Sequence, residues 1–286
     1  MMTIEEKRMN KESKSFRMIK KIPIIVFLVI LSLIALFPFY LMLIMGTYLN
    51  EELYMGIKLL PGTYLANNWK TVMSQNYPRF YLNSIVTAVV HTVIAVLVSA
   101  LGGYAFAKYD FKGKKAAFTF VLATLAIPSQ IGLVGYVIEM RSFGWTNNLL
   151  SLIFNGVASG FGVFWMNQFI KGAVPDEIIE SGRIDGCGEY GIFFRLIVPI
   201  IRPAFITIGL LLFLWNWNSY LAPLVLISDK SAYTIPLSIS LIATEFRTDY
   251  AARILALAIG TIPIVVLFAA FSKNLIKGLT VGAVKG

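Results

Sequence analysis

The feature that most constrains this chain is a set of six long stretches without a single Asp, Glu, Lys or Arg. They run over residues 22–50, 82–107, 116–138, 142–170, 203–228 and 254–272. About 20 apolar residues carry a helix across the hydrocarbon core of a bilayer. One charge at the centre of such a helix costs about 2.5–3.5 kcal/mol on the insertion scale, so charge-free runs of this length are a strong signal. The mean hydropathy is +0.74. Only 14% of the residues are charged, against about a quarter in soluble domains. The sequence therefore predicts an all-α membrane protein with six transmembrane helices and both termini on one side. The first stretch is far longer than the roughly 7–15 apolar residues of a cleavable signal, so it reads as a retained span.

The basic residues choose the side. Eighteen of the 25 Lys and Arg fall at one end: seven in the tail 1–21, then Lys108, Lys112, Lys114, Lys115, Lys171, Arg183, Arg195, Arg202, Lys273, Lys277 and Lys285. That end should face the cytoplasm. On this reading the net charge of +10 reports orientation in a lipid bilayer and not nucleic-acid binding. The chain divides into a basic cytoplasmic tail, residues 1–21, and a six-span transmembrane domain, residues 22–286. The stretch 231–244 is uncharged but too short to span, and reads as re-entrant or interfacial. Gly156 and Gly160 form a G-x-x-x-G that would let helices approach closely.

One cytoplasmic segment breaks the charge pattern. The tail, the second–third loop and the C-terminus are all net positive, whereas loop 171–202 holds Asp176, Glu177, Glu180, Asp185 and Glu189 against four basic residues. Pro175 suits the first turn of a helix, and Asp176 and Glu177 complement its positive end. Ile178, Ile179 and Ile184 read as an apolar face. Gly182, Gly186 and Gly188 then end the helix, and a second short helix runs from Tyr190 to Val198 before Pro199. Two short amphipathic helices meeting at a glycine elbow beneath the membrane suit a rigid lever.

At these residues the chain resembles the permease subunits of ABC importers. Glu180-Ser181-Gly182, three spacers and Asp185-Gly186 resemble that family's EAA loop, with small residues in place of its two alanines and Cys187 in a third alanine position. Asn83-Ser84, the run Gly103–Lys114, Trp217-Asn218-Ser219-Tyr220-Leu221 and the tail Lys277–Gly286 are similar to the carbohydrate branch, notably its maltose-permease-like inner subunits. The resemblance implies a type I ABC importer permease fold with a cytoplasmic coupling helix between spans 4 and 5. It implies a second permease chain, commonly a different one, two cytoplasmic ATPase subunits that bind ATP and Mg, and an extracytoplasmic solute-binding protein. The chain would reside in the plasma or inner membrane of a prokaryote and carry no cofactor of its own. Glu180 and Asp185 would make polar contacts, Gly186 the turn, and Ile178, Ile179 and Ile184 the apolar docking contacts.

The remaining chemistry agrees with a transport subunit. Walker A needs G-x-x-x-x-G-K-[ST]. The one Gly-Lys pair, Gly113-Lys114, is followed by Lys115 and has Lys108 where the first glycine belongs. The sequence shows no catalytic constellation and no metal-ligand spacing. Its single histidine, His91, lies inside the second span, and its single cysteine, Cys187, excludes an internal disulfide. Candidates for a solute pathway are the neutral polar and aromatic residues within spans: Trp215, Asn216, Trp217, Asn218, Gln130 and Asn155, with Ser129, Asn167 and Gln168. Ion coupling commonly uses intramembrane charges, which these spans lack. A permease for a peptide or polyamine, or an ion-coupled secondary transporter, remains the alternative at this point.

Overall fold

The computed structural model describes residues 4–240, 242 and 249–283, and every element among them is helical or a turn. The chain divides into two compact units, Met1–Thr71 with Thr244–Ala258, and Val72–Ala243 with Ile259–Gly286. The tail and C-terminal lysines lie where side chains are outside the described residues.

The first unit is built on α1 (Ile4–Met45). Residues 21–40 of its apolar stretch are all exposed within the chain, and burial begins only near its end, at Ile44. The helix ends at Gly46, whose added Cβ would meet the Leu255 backbone at 3.1 Å. The chain then folds back on itself: Asn68 Nδ2 donates to the carbonyls of Gly46 and Tyr48, at 2.9 and 2.8 Å. The Gly62 amide donates to Thr47 Oγ1 at 2.6 Å. The short helix α2 (Leu65–Ser74) follows.

The second unit is organised by α3 (Tyr77–Lys108), α4 (Lys114–Thr124), α5 (Ser129–Ser142), α6 (Leu149–Ile153) and α7 (Gly160–Ala173). Then come α8 (Asp176–Ile184), α9 (Glu189–Ile200), α10 (Arg202–Trp217), α11 (Leu221–Leu226) and α12 (Ile235–Ile239), while α13 (Tyr250–Ala283) begins in the first unit and belongs to the second from Ile259 onward. The core forms where α3, α7 and α10 meet, with Ala95, Ala100, Met166, Ile170, Ala204 and Ile208 fully enclosed. Small residues set the spacing. A Cβ on Gly103 would lie 2.5 Å from Met166 Cβ and 2.8 Å from the Asn167 amide, and one on Gly162 would collide with Ser99. Apolar attraction between helices is weak in lipid, so this close backbone approach is a main source of cohesion.

The G-x-x-x-G reading is corrected here. Gly156 lies outside any helix, at φ +78°, with open space around it; Gly160 begins α7 against α4. The residues that bring helices together are Gly103, Gly162 and Gly160 itself, whose added Cβ would collide with Thr124 Oγ1 and meet the Val121 carbonyl at 3.0 Å. The segment at 231–240, expected to be re-entrant or interfacial, is a short helical turn within the second unit. It is seated on the start of α3: Asn83 Nδ2 donates to the carbonyls of Ser231 and Tyr233, both at 2.9 Å, and Ser84 Oγ accepts from the Ile235 amide at 2.8 Å. Ile235 and Leu237 are buried.

Among the described residues, three helices are individually long and apolar enough to cross a membrane: Lys21–Met45, Tyr77–Lys108 and Tyr250–Ser272. Two further stretches are bent pairs, α4 with α5 at 100° and α9 with α10 at 82°. The charge-free stretches 116–138, 142–170 and 203–228 are thus not straight helices. The reason is local. Pro128 disfavours helical backbone at Ile127, Asn155-Gly156 interrupts between α6 and α7, and α10 ends at the Asn218 cap. Lack of charge reports solvation, and it is blind to these breaks.

Candidate functional site

Loop 171–202 forms a compact hairpin of α8 on α9. Helix α8 has Asp176 and Glu177 in its first turn and Arg183 in its last, each complementing the helix dipole. Gly182 lets α8 lie flush: its Cβ would sit 2.8 Å from Leu196 Cδ1 and 3.2 Å from Ile192 Cγ1. The helix stops in a complete Schellman turn. The Cys187 amide donates to the Gly182 carbonyl at 2.9 Å and the Gly186 amide to that of Arg183 at 3.1 Å, with Gly186 at φ +76°. Only glycine adopts that backbone without steric cost. In α9 the helix widens to a π-helical turn at Ile192–Ile197. Pro199 has no N–H for the Arg195 carbonyl, which favours such a widening. The chain turns sharply at Ile201, itself fully buried, into α10.

Two polar clamps fix this hairpin to the end of α3. Lys108, whose side chain is 7% exposed, donates from Nζ to the Val174 carbonyl and to Asp176 Oδ1, both at 2.5 Å. Tyr109 OH donates to Glu189 Oε2, and Arg183 Nε donates to Glu189 Oε1 at 2.9 Å. The Arg183 guanidinium also lies 5.9 Å from the centre of the Tyr109 ring. The Tyr109 hydroxyl, followed by Arg183, holds the Glu189 carboxyl below the usual carboxylate range. Burial, followed by the bond to Glu189, pushes Tyr109 above the ordinary phenol value, so it remains a donor at neutral pH. The sequence reading counted Lys108, Arg183 and Glu189 only as charges and gave Tyr109 no role. Nothing local announces partners 68 and 80 residues apart.

The anticipated docking face divides. Ile179 is 5% exposed and belongs to the chain's own core, so it anchors α8 rather than facing outward. Ile178 is half-buried, while Ile184 is 86% exposed. Glu180 and Asp185 are exposed, and neither side chain forms a hydrogen bond among the described residues. Tyr190, at 81% exposure on the other arm of the elbow, adds an outward aromatic that the sequence did not single out.

The pathway candidates also separate. Asn155, Asn216 and Trp217 line one narrow cleft with Ser84, Thr87 and Thr234. Its free volume is about 10 Å³, at the lower edge of what one water needs. Asn216 Nδ2 donates to the Leu152 carbonyl at 3.3 Å, and Trp217 Nε1 to that of Gly260 at 3.2 Å. The Trp217 ring stacks on Phe213 with centroids 5.6 Å apart. The others lie elsewhere: Trp215 is 53% exposed against Phe161, Asn218 bonds back to Leu214, and Ser129, Gln130 and Gln168 are exposed. Asn167 is fully buried beside Gly103, and the buried His91 ring meets the Ile153 carbonyl through Nδ1 at 2.8 Å. Asn83 and Ser84 were legible, but Thr87 and Thr234 carry no motif. Among the described residues no group of three His, Cys, Asp or Glu side chains could hold a metal ion.

This helical architecture is that of an ABC importer permease. It matches a chain in the crystal structure of a bacterial ABC transporter involved in the import of the acidic polysaccharide alginate, with a TM-score of 0.76 over 89% of this chain and 96% of that one, at 20% identity. Residues 99–281 match the family described as binding-protein-dependent transport system inner membrane component, and the chain belongs to that family. Among its relatives, the arabinooligosaccharides transport system permease protein AraQ of Halalkalibacterium halodurans is 32% identical over 90% of this chain and 93% of its own length. The lactose transport system permease protein LacG of Rhizobium radiobacter is 30% identical over 93% and 98%, and the trehalose/maltose permease MalG of Thermococcus litoralis 30% over 94% and 98%.

Proposed function

We propose that this chain is one of the membrane-spanning permease subunits of an ATP-driven, binding-protein-dependent importer of oligosaccharides. The observation that carries the reading is near full-length similarity to permeases named for arabino-oligosaccharides, lactose and trehalose/maltose. The sparse charge inside the apolar stretches supports a neutral solute. The chain crosses the membrane six times with both termini cytoplasmic, the stretch 142–170 supplying the crossing that no single helix provides. A second permease chain, two ATPase subunits holding ATP and Mg, and an extracytoplasmic binding protein complete the assembly in a prokaryotic plasma or inner membrane.

Loop 171–202 couples the ATPase to the bundle. ATPase closure moves α8 through its outward groups, Ile184, Glu180, Asp185 and half-buried Ile178, with Tyr190 beside them. Gly186 holds the elbow. Because α8 is clamped to Lys108 and Tyr109 and packed on α9, displacement passes to α3 and through the bend at Ile201 to α10. Asn155, Asn216 and Trp217 border the closed side of the solute pathway, which widens when these helices separate. The test is reconstitution with the partner subunits and a panel of oligosaccharides. ATP hydrolysis should rise only with the binding protein and its cognate sugar together. Proton-driven uptake by this chain alone would refute the proposal.

A further inference from the structure

Three lysines that the coupling loop does not use converge on one cavity. Lys114 and Lys115 open α4, Lys171 closes α7, and together with Phe106, Phe111 and Phe118 they line a space of about 490 Å³, within the range of small-molecule sites. The phenylalanines form a connected cluster, with ring centroids 5.9 Å apart for Phe106 and Phe111 and 5.2 Å for Phe106 and Phe118. Lys171 Nζ lies 5.9 Å from the centre of the Phe118 ring. Asp110 is the one carboxylate in the lining, and it pairs with Lys114 at 3.0 Å. Lys115 and Lys171 have no carboxylate partner among the described residues, so the cavity keeps an excess of positive charge over an apolar floor.

Depth narrows the occupant. The lysines sit where the charge-free stretches 82–107, 116–138 and 142–170 end, which is the level of lipid headgroups on the basic side. A basic pocket between helix ends at that depth, floored by aromatic rings, matches a phosphate above acyl chains. We infer that this cavity is a binding site for an anionic phospholipid of the inner leaflet, the lysines holding its phosphate and the phenylalanines its glycerol and upper acyl carbons. The inference rests on the sidedness given by the lysines and is independent of which solute is carried.

The test is native mass spectrometry of the full-length chain exchanged into mixtures of phosphatidylglycerol and phosphatidylcholine. Wild type should retain phosphatidylglycerol with about tenfold preference. The K114Q/K115Q/K171Q variant should lose that preference, K114R/K115R/K171R should restore it, and K58Q/K70Q should not alter it. If the triple variant fails to fold, Lys171→Gln alone should lower the preference several-fold. Equal retention of both lipids by wild type would overturn the proposal, as would an unchanged preference in the triple variant. Competition by glycerol 3-phosphate or inorganic phosphate would overturn it in favour of a soluble anion. Protection of the three lysines by added ATPase subunits regardless of lipid would overturn it in favour of a protein contact.

Discussion

At the loop, Lys108 meets Asp176 and Arg183 meets Glu189. Around Trp217 the fastenings are neutral: Trp217 donates to the Gly260 carbonyl, Asn216 to Leu152, and Asn83 to Ser231 and Tyr233, while Ser84 accepts from the Ile235 amide. The loop carries its charges where water can reach them; Asp176 is 76% exposed and Arg183 and Glu189 are half exposed. Exposed pairs of this kind contribute about 0–1 kcal/mol each, so the hairpin is held chiefly by burial, at Lys108, at Ile179 and along α9 at Ile192, Phe193 and Ile197. The cleft gains more per contact, because it joins aromatic burial to enclosed hydrogen bonds, with Thr234 Oγ1 the one buried atom of its lining that lacks a partner among the described residues. The loop's ion pairs are thus wet and light, and the cleft's bonds are dry and neutral.

The sharpest way to break this contrast is at the tight end. Trp217→Ala removes the stacked ring and leaves the Gly260 carbonyl without its donor, which should cost about 3–5 kcal/mol. A large fall in the thermal unfolding midpoint of the purified chain is expected, and an unchanged midpoint would mean that the cleft is not the tighter region. Next in size is Lys108→Met, which releases the Val174 carbonyl and Asp176 together. It should cost about 1–2 kcal/mol and raise hydrogen exchange of the α8 amides roughly tenfold with little change elsewhere. Exchange that rises throughout α3 instead would show a general structural defect.

The smallest effect is in pH. Glu189 titrates below its ordinary value, so its contribution to holding the hairpin is complete above about pH 4.3. It is lost only as pH falls through the lowered folded value. Between pH 6 and 8 this group adds no pH dependence. Tyr109→Phe removes the largest cause of the lowering, so the carboxyl resonance of labelled Glu189 should titrate higher than in wild type. An unmoved titration would mean that Arg183 alone sets it.

Much of this contrast was legible in the sequence, and the parts that were not share a cause. Charge-free stretches located the apolar helices, and the acidic loop stood out against a basic face. The facing of the isoleucines was misjudged, since Ile179 and Ile184 are five residues apart and point about 140° from one another on a helix. The burial of one and exposure of the other follow from that spacing. The breaks at Pro128 and Asn155-Gly156 are backbone events inside stretches of uniform solvation. The clamps on Lys108 and Tyr109 join residues distant in the chain, so they become visible only once α3 and α8 are folded together.

The claim at the centre is that the elbow transmits work, and Gly186 tests it most directly. Gly186→Val forces a β-branched residue into a φ of +76°, a conformation costing about 1–2 kcal/mol for an L-residue, in open space where nothing else is displaced. The measurement is sugar taken up per ATP hydrolysed, in proteoliposomes holding the assembled transporter. The expected result is an assembly that still hydrolyses ATP while uptake collapses. A wild-type ratio of uptake to hydrolysis would contradict the role given to the loop.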